Sequence, residues 1–207
     1  MSGLLAFDWN GTVVDDLARA TAATSTVTER RGLPPVDGER FRAEFRLPLA
    51  AMFAGLGVTD LSDAERDWNA EMRRTRAPLS PGVAELIELA RGAAWTVGVV
   101  SAAATEAVVD DVAALGLDGA FDFVWGAQAN KVLALEELAR THSGVVVYVG
   151  DTEYDIECAR AAGAVAVAYG SGYRPASALR DAGADLVITS FVELALVLDG
   201  LGAADLR

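Results

Sequence analysis

Short apolar runs recur along the chain, and glycine or polar residues flank each of them. Five such runs predict strands: 4–7 (LLAF), 95–100 (WTVGVV), 145–149 (VVVYV), 164–169 (AVAVAY) and 186–189 (LVIT). Nearly continuous apolar runs of this length are typical of strands that are buried on both faces of a sheet. Between them lie amphipathic stretches with apolar spacings of three and four, such as 104–115 and 131–141, and these predict helices.

The alternation of strands and helices predicts an α/β fold with a doubly wound, mainly parallel, Rossmann-like sheet. Ligands of such sheets bind at the carboxyl ends of the strands. Asp8, Ser101 and Asp151 each end or directly follow a predicted strand. We therefore expect three distant segments of the chain to converge on one edge of the sheet.

The region 16–80 breaks the alternating rhythm. It carries helical patterns but no convincing strand, and Pro78 and Pro81 mark its end. The helical patterns cover 17–32, 38–57 and 63–76. We interpret the region as a small α-helical cap domain inserted after the first strand, so that 1–15 and 81–207 form the α/β core domain.

Composition and charge narrow the class of protein. A chain of 207 residues that is 52% hydrophobic is long enough for one α/β core with an insertion. Its net charge of −13 makes nucleic acid an improbable partner, and the apolar runs are too short to cross a membrane. The N-terminus lacks a secretory signal pattern, and the single cysteine, Cys158, cannot form an internal disulfide. We expect a cytoplasmic monomer or homodimer that acts on a small molecule.

Acidic residues at the predicted sheet edge are candidates for metal binding and catalysis. Asp8 precedes a tight-turn sequence, and it could be a nucleophile, a metal ligand or a cap of the turn. Asp151 and Asp155 lie four residues apart in GDTEYD, so they share a face if a helix starts there. Hard oxygen ligands at this spacing suit Mg²⁺. The alternative is a helix N-cap followed by a solvated acid.

Lys131 and Ser101 are candidates for binding an anion. Lys131 is the single lysine among 17 basic residues, and it opens a predicted helix at the edge where the acids gather. A compact ammonium there would offset carboxylate and phosphate charge, whereas an ordinary lysine would be exposed. The Ser101 hydroxyl and the backbone N–H groups after it, beginning at Ala102, could hold phosphate oxygens. A simple helix N-cap is the alternative for Ser101.

Four further residues are candidates for substrate contacts. Trp9 directly follows Asp8, and Arg46 lies in the predicted cap, from which it could reach an anionic substrate. Tyr173 and Arg174, in GSGYRP, could border the site. His142, the only histidine, ends a predicted helix, and without a nucleophile-elbow sequence it indicates a surface or capping role.

Four features occur in this order along the chain: DxNGTVVD, the strand-end serine, the lysine and GDxxxD. With these features, the chain resembles the haloacid dehalogenase superfamily, in particular its phosphoglycolate-phosphatase-like branch. The resemblance covers nearly the whole chain, including the helical insertion. It implies that Asp8 attacks phosphorus to form an aspartyl-phosphate. It also implies that Ser101 and Lys131 bind and neutralise the transferring group.

The same resemblance implies a magnesium site. Asp151, Asp8 and the backbone carbonyl of residue 10 would hold Mg²⁺, and Asp155 would support the water shell of the metal. The chain would then be a Mg²⁺-dependent phosphohydrolase that acts on a small phosphorylated metabolite.

Asn10 departs from the family pattern, which usually has a second aspartate there. That aspartate protonates the leaving oxygen and then activates water, whereas an amide cannot exchange protons in this way at neutral pH. Losing a general acid or base commonly lowers a rate by about 10² to 10⁴.

Four interpretations of Asn10 remain open. In the first, the substrate carries a good leaving group, and in the second, Asp15, Asp16 or a cap residue acts in place of residue 10. In the third, the fold binds or transfers phosphate without efficient hydrolysis. In the fourth, Asn10 deamidates to aspartate, because it precedes Gly11. The third interpretation corresponds to an alternative function. The chain would then be a phosphate-binding or regulatory protein, or a phosphoryl transferase or phosphomutase.

Overall fold

The computed structural model describes residues 3–200. Within that range there are six strands and ten helices, and they alternate in the core but not in the insertion, which is entirely helical. The strands are β1 (Leu4–Phe7), β2 (Thr96–Val100), β3 (Phe123–Trp125), β4 (Val146–Gly150), β5 (Val165–Tyr169) and β6 (Leu186–Ile188). The helices are α1 (Leu17–Glu29), α2 (Gly38–Glu44), α3 (Leu49–Gly55), α4 (Leu61–Met72), α5 (Val83–Gly92), α6 (Thr105–Ala114), α7 (Lys131–Thr141), α8 (Glu153–Ala161), α9 (Ala176–Asp181) and α10 (Phe191–Gly200).

All six strands form one sheet in the order β3-β2-β1-β4-β5-β6. Every neighbouring pair is parallel, and Leu5 of β1 lies opposite Val97 of β2 on one side and Val147 of β4 on the other. The fold prediction is therefore confirmed. Because β1 lies between β2 and β4, the residues that follow these three strands meet at one edge.

The five predicted strands are present with their ends shifted by at most one residue. The edge strand β3 was not predicted, because it has only three residues and all of them are half-buried. Gly98 of β2 explains how β3 packs, since a Cβ atom there would overlap the ring of Phe123. Helices α5, α9 and α10 were not assigned from the sequence either.

The chain divides into two compact units. The first contains the residues up to Val14 and those from Leu79 onward, and the second is Asp15–Pro78. The second unit contains α1 to α4. The helical pattern 38–57 is two helices, because proline lacks a backbone N–H and disfavours helical geometry in the residue before it. The break falls at Phe45 and Pro48, which are both extended.

The interiors of the two units are apolar. In the helical unit, Phe53 and Trp68 are buried, and the Trp68 Nε1 donates a hydrogen bond to Thr24 Oγ1 (3.1 Å). In the α/β unit, Cys158 is buried within a cluster of apolar side chains, as expected for a packing role. No helix in residues 3–200 is long and apolar enough to cross a membrane.

Candidate active site

The carboxyl ends of β1, β2 and β4 bring Asp8, Ser101 and Asp151 to one edge of the sheet. The predicted convergence is therefore found. Asp155 and Lys131 join the edge from the first turns of α8 and α7. All five side chains belong to residues that are less than a tenth exposed.

Three buried carboxylates form a compact acidic cluster. One oxygen from each of Asp8, Asp151 and Asp155 lies within 4.8 Å of the others. Burying like charges this closely is unfavourable unless a cation accompanies them. Lys131 supplies one positive charge to three carboxylates, so the cluster has an excess of negative charge.

Lys131 is fully buried and pairs with two of these acids. Its Nζ lies 2.6 Å from Asp155 Oδ1 and 2.9 Å from Asp8 Oδ1. Burial lowers the pKa of Lys131, but the carboxylates of Asp155 and Asp8 outweigh burial and hold it well above its usual value. The alternative of an ordinary exposed lysine is therefore wrong. Asn130 caps α7 by accepting a hydrogen bond from the Val132 N–H, which fixes the start of the helix.

Asp155 has both carboxylate oxygens engaged within the protein. Oδ2 accepts hydrogen bonds from the backbone N–H and the hydroxyl of Thr152 (3.1 and 2.6 Å), and Oδ1 pairs with Lys131. Thr152 and Asp155 together form a capping box at the start of α8. Asp155 therefore orients Lys131 and begins the helix at the same time.

The helix after GDTEYD begins at Glu153, so Asp151 lies before the cap rather than on the helix. Two expectations are corrected by this. Asp151 and Asp155 do not share a helical face, and the N-cap is Thr152. Asp155 is also fully buried rather than solvated. Asp155 packs closely against the end of β4, since a Cβ atom at Gly150 would overlap its side chain.

Asp151 is held by the turn after β1 and by the loop after β5. Its Oδ1 accepts a hydrogen bond from the Thr12 hydroxyl (3.0 Å), and its Oδ2 accepts one from the Tyr173 N–H (2.7 Å). A Cβ atom at Gly11 or Gly172 would overlap the Asp151 side chain, so both positions need glycine. Burial, followed by the charges of nearby carboxylates, raises the pKa of Asp151 well above its usual value.

Asp8 lies beside the Lys131 ammonium and the Ser101 hydroxyl. Its Oδ1 is at ion-pair distance from Lys131, but it accepts no well-aligned hydrogen bond within residues 3–200. Burial raises the pKa of Asp8, and Lys131 opposes that rise. A buried carboxylate oxygen with free acceptor capacity can serve as a nucleophile or a metal ligand.

Ser101 and Ala102 lie in a short loop between β2 and α6. The Ser101 hydroxyl accepts a hydrogen bond from the Ala103 N–H (3.3 Å), and Ala102 is exposed. The N-cap of α6 is Ala104, so the interpretation of Ser101 as a simple helix cap is wrong.

Asn10 lies in the tight turn after β1 and is half-buried. Its side chain makes no hydrogen bond to any residue in the described part of the chain. The turn is instead held by the Trp9 carbonyl, which accepts hydrogen bonds from the N–H groups of Thr12 and Val14 (3.3 and 3.1 Å). Gly11 has a φ of +73°, which favours glycine.

The four predicted substrate contacts have partners within the protein. Trp9 is buried, and its Nε1 donates to Asp111 Oδ2 (3.3 Å), so packing accounts for it. Arg46, in the helical unit, pairs with Glu44 at 2.7 Å. The Arg174 guanidinium pairs with Glu153 at 2.7 Å, and the neighbouring Tyr173 contributes its backbone N–H to Asp151.

His142 is the C-cap residue of α7, at the opposite end of that helix from Lys131. Its placement agrees with the predicted capping position.

Sequence reasoning missed Tyr148, which lies beneath the lysine. Its hydroxyl donates a hydrogen bond to the Val100 carbonyl (2.8 Å), and the hydroxyl oxygen is 3.4 Å from Asp155 Oδ1. Lys131 Nζ lies 5.7 Å from the centre of the Tyr148 ring. Tyr148 appeared in the sequence as one more apolar residue of a buried strand. The one indication of its role in the sequence was a tyrosine in a strand of aliphatic residues, since a buried hydroxyl usually has a hydrogen-bond partner.

The residues of the acidic cluster fit a divalent cation. They offer hard oxygen ligands, they carry more negative charge than Lys131 offsets, and Asp8 Oδ1 has free acceptor capacity. Mg²⁺ favours such a set, because it takes few protein carboxylates and keeps water or phosphate oxygens in its other positions.

The chain is similar in sequence and in fold to known phosphatases and hydrolases. The sequence model of the family described as haloacid dehalogenase-like hydrolase matches residues 5–169. The chain is 31% identical to a protein of Chromobacterium violaceum named phosphoglycolate phosphatase, over 92% of this chain and 93% of that protein. It is 27% identical to a phosphoglycolate phosphatase of Synechococcus elongatus, over 84% of this chain and 86% of that protein. A haloacid dehalogenase-like protein from Streptococcus pneumoniae has a similar fold, with a TM-score of 0.84, 20% identity, and coverage of 96% of this chain and 98% of that one.

Proposed function

The chain belongs to the haloacid dehalogenase-like hydrolase family and is a phosphatase, and we propose on that basis that it is a Mg²⁺-dependent phosphohydrolase working through an aspartyl-phosphate at Asp8. Its substrate is a small phosphorylated metabolite. The relatives at 31% and 27% identity are named phosphoglycolate phosphatase, so phosphoglycolate is the first compound to test.

One observation carries the proposal. Three carboxylates are buried within 4.8 Å of one another at the sheet edge, and a single buried lysine joins two of them. Maintaining this excess of negative charge is unfavourable in an apolar protein interior. A function in binding a cation and a phosphoryl group would explain why these carboxylates are buried together.

Each residue has a proposed role. A carboxylate oxygen of Asp8 attacks phosphorus, and the Lys131 ammonium and Ser101 bind and neutralise the transferring group, with the Ala102 N–H beside them. Asp8, Asp151 and the Asn10 carbonyl would hold Mg²⁺.

Asp155 would act behind these residues. Its contacts with Lys131 and Thr152 support a role in fixing the lysine and, as the resemblance implies, the water shell of the metal. When it is bound, Mg²⁺ supplies positive charge that offsets the charge of the phosphoryl oxygens.

The helical unit is proposed as the cap that selects the substrate and excludes bulk water, with Arg46 as its candidate anion contact. Trp9 is a weaker candidate than the sequence indicated, because it already packs within the α/β unit. A cytoplasmic location stays a prediction.

Asn10 favours a second candidate function. Without a proton-exchanging group at residue 10, the phosphoryl group on Asp8 would be removed slowly by water, and transfer to another acceptor could compete. A phosphoryl transferase or phosphomutase, or a protein that binds phosphate without turnover, would share the same fold and ligands.

The test measures phosphate release from alkyl, sugar, aryl and acyl phosphates, with and without Mg²⁺, for the chain and for Asp8→Asn. We expect release that requires Mg²⁺ and is lost in Asp8→Asn. Asp118→Asn is the matched control, because Asp118 is an exposed aspartate of the same unit and should leave turnover unchanged. Release that survives in Asp8→Asn would overturn the proposal.

A further inference from the structure

The turn at residue 10 lacks a group that can exchange protons at neutral pH. We infer that the substrate of this chain is a phosphoric anhydride, foremost an acyl phosphate, whose leaving group departs without a proton, and that the phosphoryl group then stays on Asp8 until slow hydrolysis removes it. The inference rests on the proposed role of Asp8 as nucleophile. It narrows the substrate from phosphorylated metabolites in general to one class.

Asn10 itself cannot supply the proton. Its amide can donate or accept hydrogen bonds, but it neither gains nor loses a proton at neutral pH. The side chain is half-buried and makes no hydrogen bond to any described residue. A phosphate ester with an alkyl leaving group would have to release an alkoxide beside this amide, which is unfavourable without a general acid.

The acids beside Asp8 already have other partners. Both oxygens of Asp155 accept hydrogen bonds or pair with Lys131. Asp151 accepts hydrogen bonds on both oxygens, from Thr12 and from the backbone of Tyr173. Within the part of the α/β unit that the structure describes, these are the only acids clustered with Asp8.

Three other titratable groups of the α/β unit are badly placed for the task. His142 ends α7 while Lys131 begins it, so the rise per residue separates their backbones by about 16 Å. Cys158 is buried in the apolar core. The Tyr148 hydroxyl donates its hydrogen bond to the Val100 carbonyl.

The acids of the helical unit that directly follow the turn are also unsuited. The Asp16 carboxylate is buried and is held by the Arg19 guanidinium at 3.0 Å. Asp15 is exposed and has no resolved ion pair within the described residues, so the test includes Asp15→Asn.

The chemistry balances without an acid in the first step. An Asp8 oxygen forms a bond to phosphorus, and the bond from phosphorus to the leaving oxygen breaks with its electron pair on that oxygen. With an acyl phosphate, the leaving group is a carboxylate, which is stable without a proton. With an ester, it would be an alkoxide.

The second step is the one that Asn10 slows. A water oxygen attacks phosphorus, the bond to Asp8 breaks, and the electron pair returns to the Asp8 carboxylate. The proton of the water passes to bulk solvent or to the departing phosphate, because residue 10 cannot accept it. Slow hydrolysis after fast transfer makes the phosphorylated chain accumulate.

Rapid-quench kinetics with Mg²⁺ test the inference. The substrates are acetyl phosphate, pyrophosphate, para-nitrophenyl phosphate and phosphoglycolate. The proteins are the chain and its variants Asn10→Asp, Asp15→Asn and Asp8→Asn. We expect a burst of about one leaving group per chain from acetyl phosphate and para-nitrophenyl phosphate, followed by slow turnover. In Asn10→Asp the burst should disappear, and turnover of phosphoglycolate should rise by about 10² to 10⁴.

Three results overturn the inference. The first is steady turnover of phosphoglycolate by the chain at the rate of Asn10→Asp, and the second is the absence of a burst with acetyl phosphate. The third is turnover of phosphoglycolate that Asp15→Asn abolishes, since Asp15 would then replace the missing acid. A burst with acetyl phosphate but not with pyrophosphate assigns a carboxylate leaving group, whereas a burst with both substrates extends the assignment to a phosphate leaving group.

Asp8→Asn separates this inference from the proposed function. If burst and turnover persist in Asp8→Asn, the proposed function fails. If Asp8→Asn is inactive while the chain hydrolyses phosphoglycolate without a burst, only the inference fails. A peptide mass spectrum must first show that residue 10 is still asparagine, because deamidation before Gly11 would create the aspartate in part of the sample.

Discussion

The two sides of Asp8 differ sharply in how their side chains are held. On one side, Lys131, Tyr148 and Asp155 form a continuous buried network with distances from 2.6 to 3.4 Å. On the other side, the turn holds its own backbone, but the Asn10 side chain makes no hydrogen bond to a described residue. The side of Lys131 is organised to bind charged groups, whereas the side of Asn10 lacks a group that can exchange protons. A site can therefore be well organised to bind and transfer phosphate while it lacks a group for proton exchange.

The largest expected effect comes from removing the charge at the centre of the network, in Lys131→Met. Asp8 and Asp155 would be left buried without their cation, which typically lowers the free energy of unfolding by about 3 to 5 kcal/mol. Phosphate release should be lost as well. Urea denaturation without Mg²⁺ measures the first effect.

Arg140→Met is the matched control for Lys131→Met. Arg140 pairs with Glu137 on the surface, where both side chains are exposed, so its removal should change stability by less than about 1 kcal/mol. A loss in Lys131→Met no larger than in Arg140→Met would show that the network does not depend on the buried ammonium.

Asp151→Asn should separate metal binding from folding. The chain should gain about 2.7 kcal/mol of stability at a Mg²⁺ concentration of 100 times Kd, because the metal binds the folded state, and the variant should lose most of that gain. Thermal unfolding with and without Mg²⁺ measures it. Asp118→Asn, which changes an exposed aspartate, should keep the full response.

Without metal, Asp151→Asn should change how stability depends on pH. Because burial raises the pKa of Asp151, the folded chain binds more protons than the unfolded chain between the usual and the raised pKa. Metal-free stability therefore falls as pH rises through that window. Asp151→Asn removes this loss, so it should be the more stable protein at neutral pH and lose that advantage below the usual carboxyl pKa. A variant that is less stable than the chain at neutral pH would contradict the assigned cause.

Gly172→Ala tests how tightly Asp151 is held. The added Cβ would overlap Asp151 and the Gly11 carbonyl, and overpacking of this kind costs about 1 to 3 kcal/mol. Gly92→Ala is the matched control, since no heavy atom lies within 4 Å of a Cβ there and alanine favours a helix. Equal stability of the two variants in urea denaturation would mean that the clamp on Asp151 is loose.

Tyr148→Phe should have the smallest effect. It removes the hydrogen bond to the Val100 carbonyl, which contributes about 1 kcal/mol, and it loosens the support beneath Lys131. We expect kcat to fall while KM changes little, because the lysine would still be present but less well oriented. Unchanged kcat would limit Tyr148 to packing.

The sequence predicted the side of the site that depends on strand ends. Asp8, Ser101 and Asp151 could be assigned to one edge because apolar runs identify buried strands, and parallel strands end together. Lys131 was found through its rarity in this chain. Strand β3 was missed because three half-buried residues carry too little pattern.

The sequence could not predict the contacts that form through space. Tyr148 approaches Lys131 only after β4 and α7 pack, and Thr12 reaches Asp151 across 139 positions of the chain. The shared helical face of Asp151 and Asp155 was also a wrong expectation, because the N-cap is Thr152 and α8 begins at Glu153. The local sequence pattern identified the acidic residues of the site. Whether an acid caps the helix or is free to bind a ligand depended on a helix boundary one or two residues away, which the pattern could not locate.

The most direct measurement is peptide mass spectrometry of the chain quenched shortly after mixing with acetyl phosphate and Mg²⁺. We expect one phosphoryl group on the peptide that contains Asp8, present in the chain and absent from Asp8→Asn. Continued release of phosphate with no phosphorylated peptide, or a phosphoryl group at another residue, would contradict it.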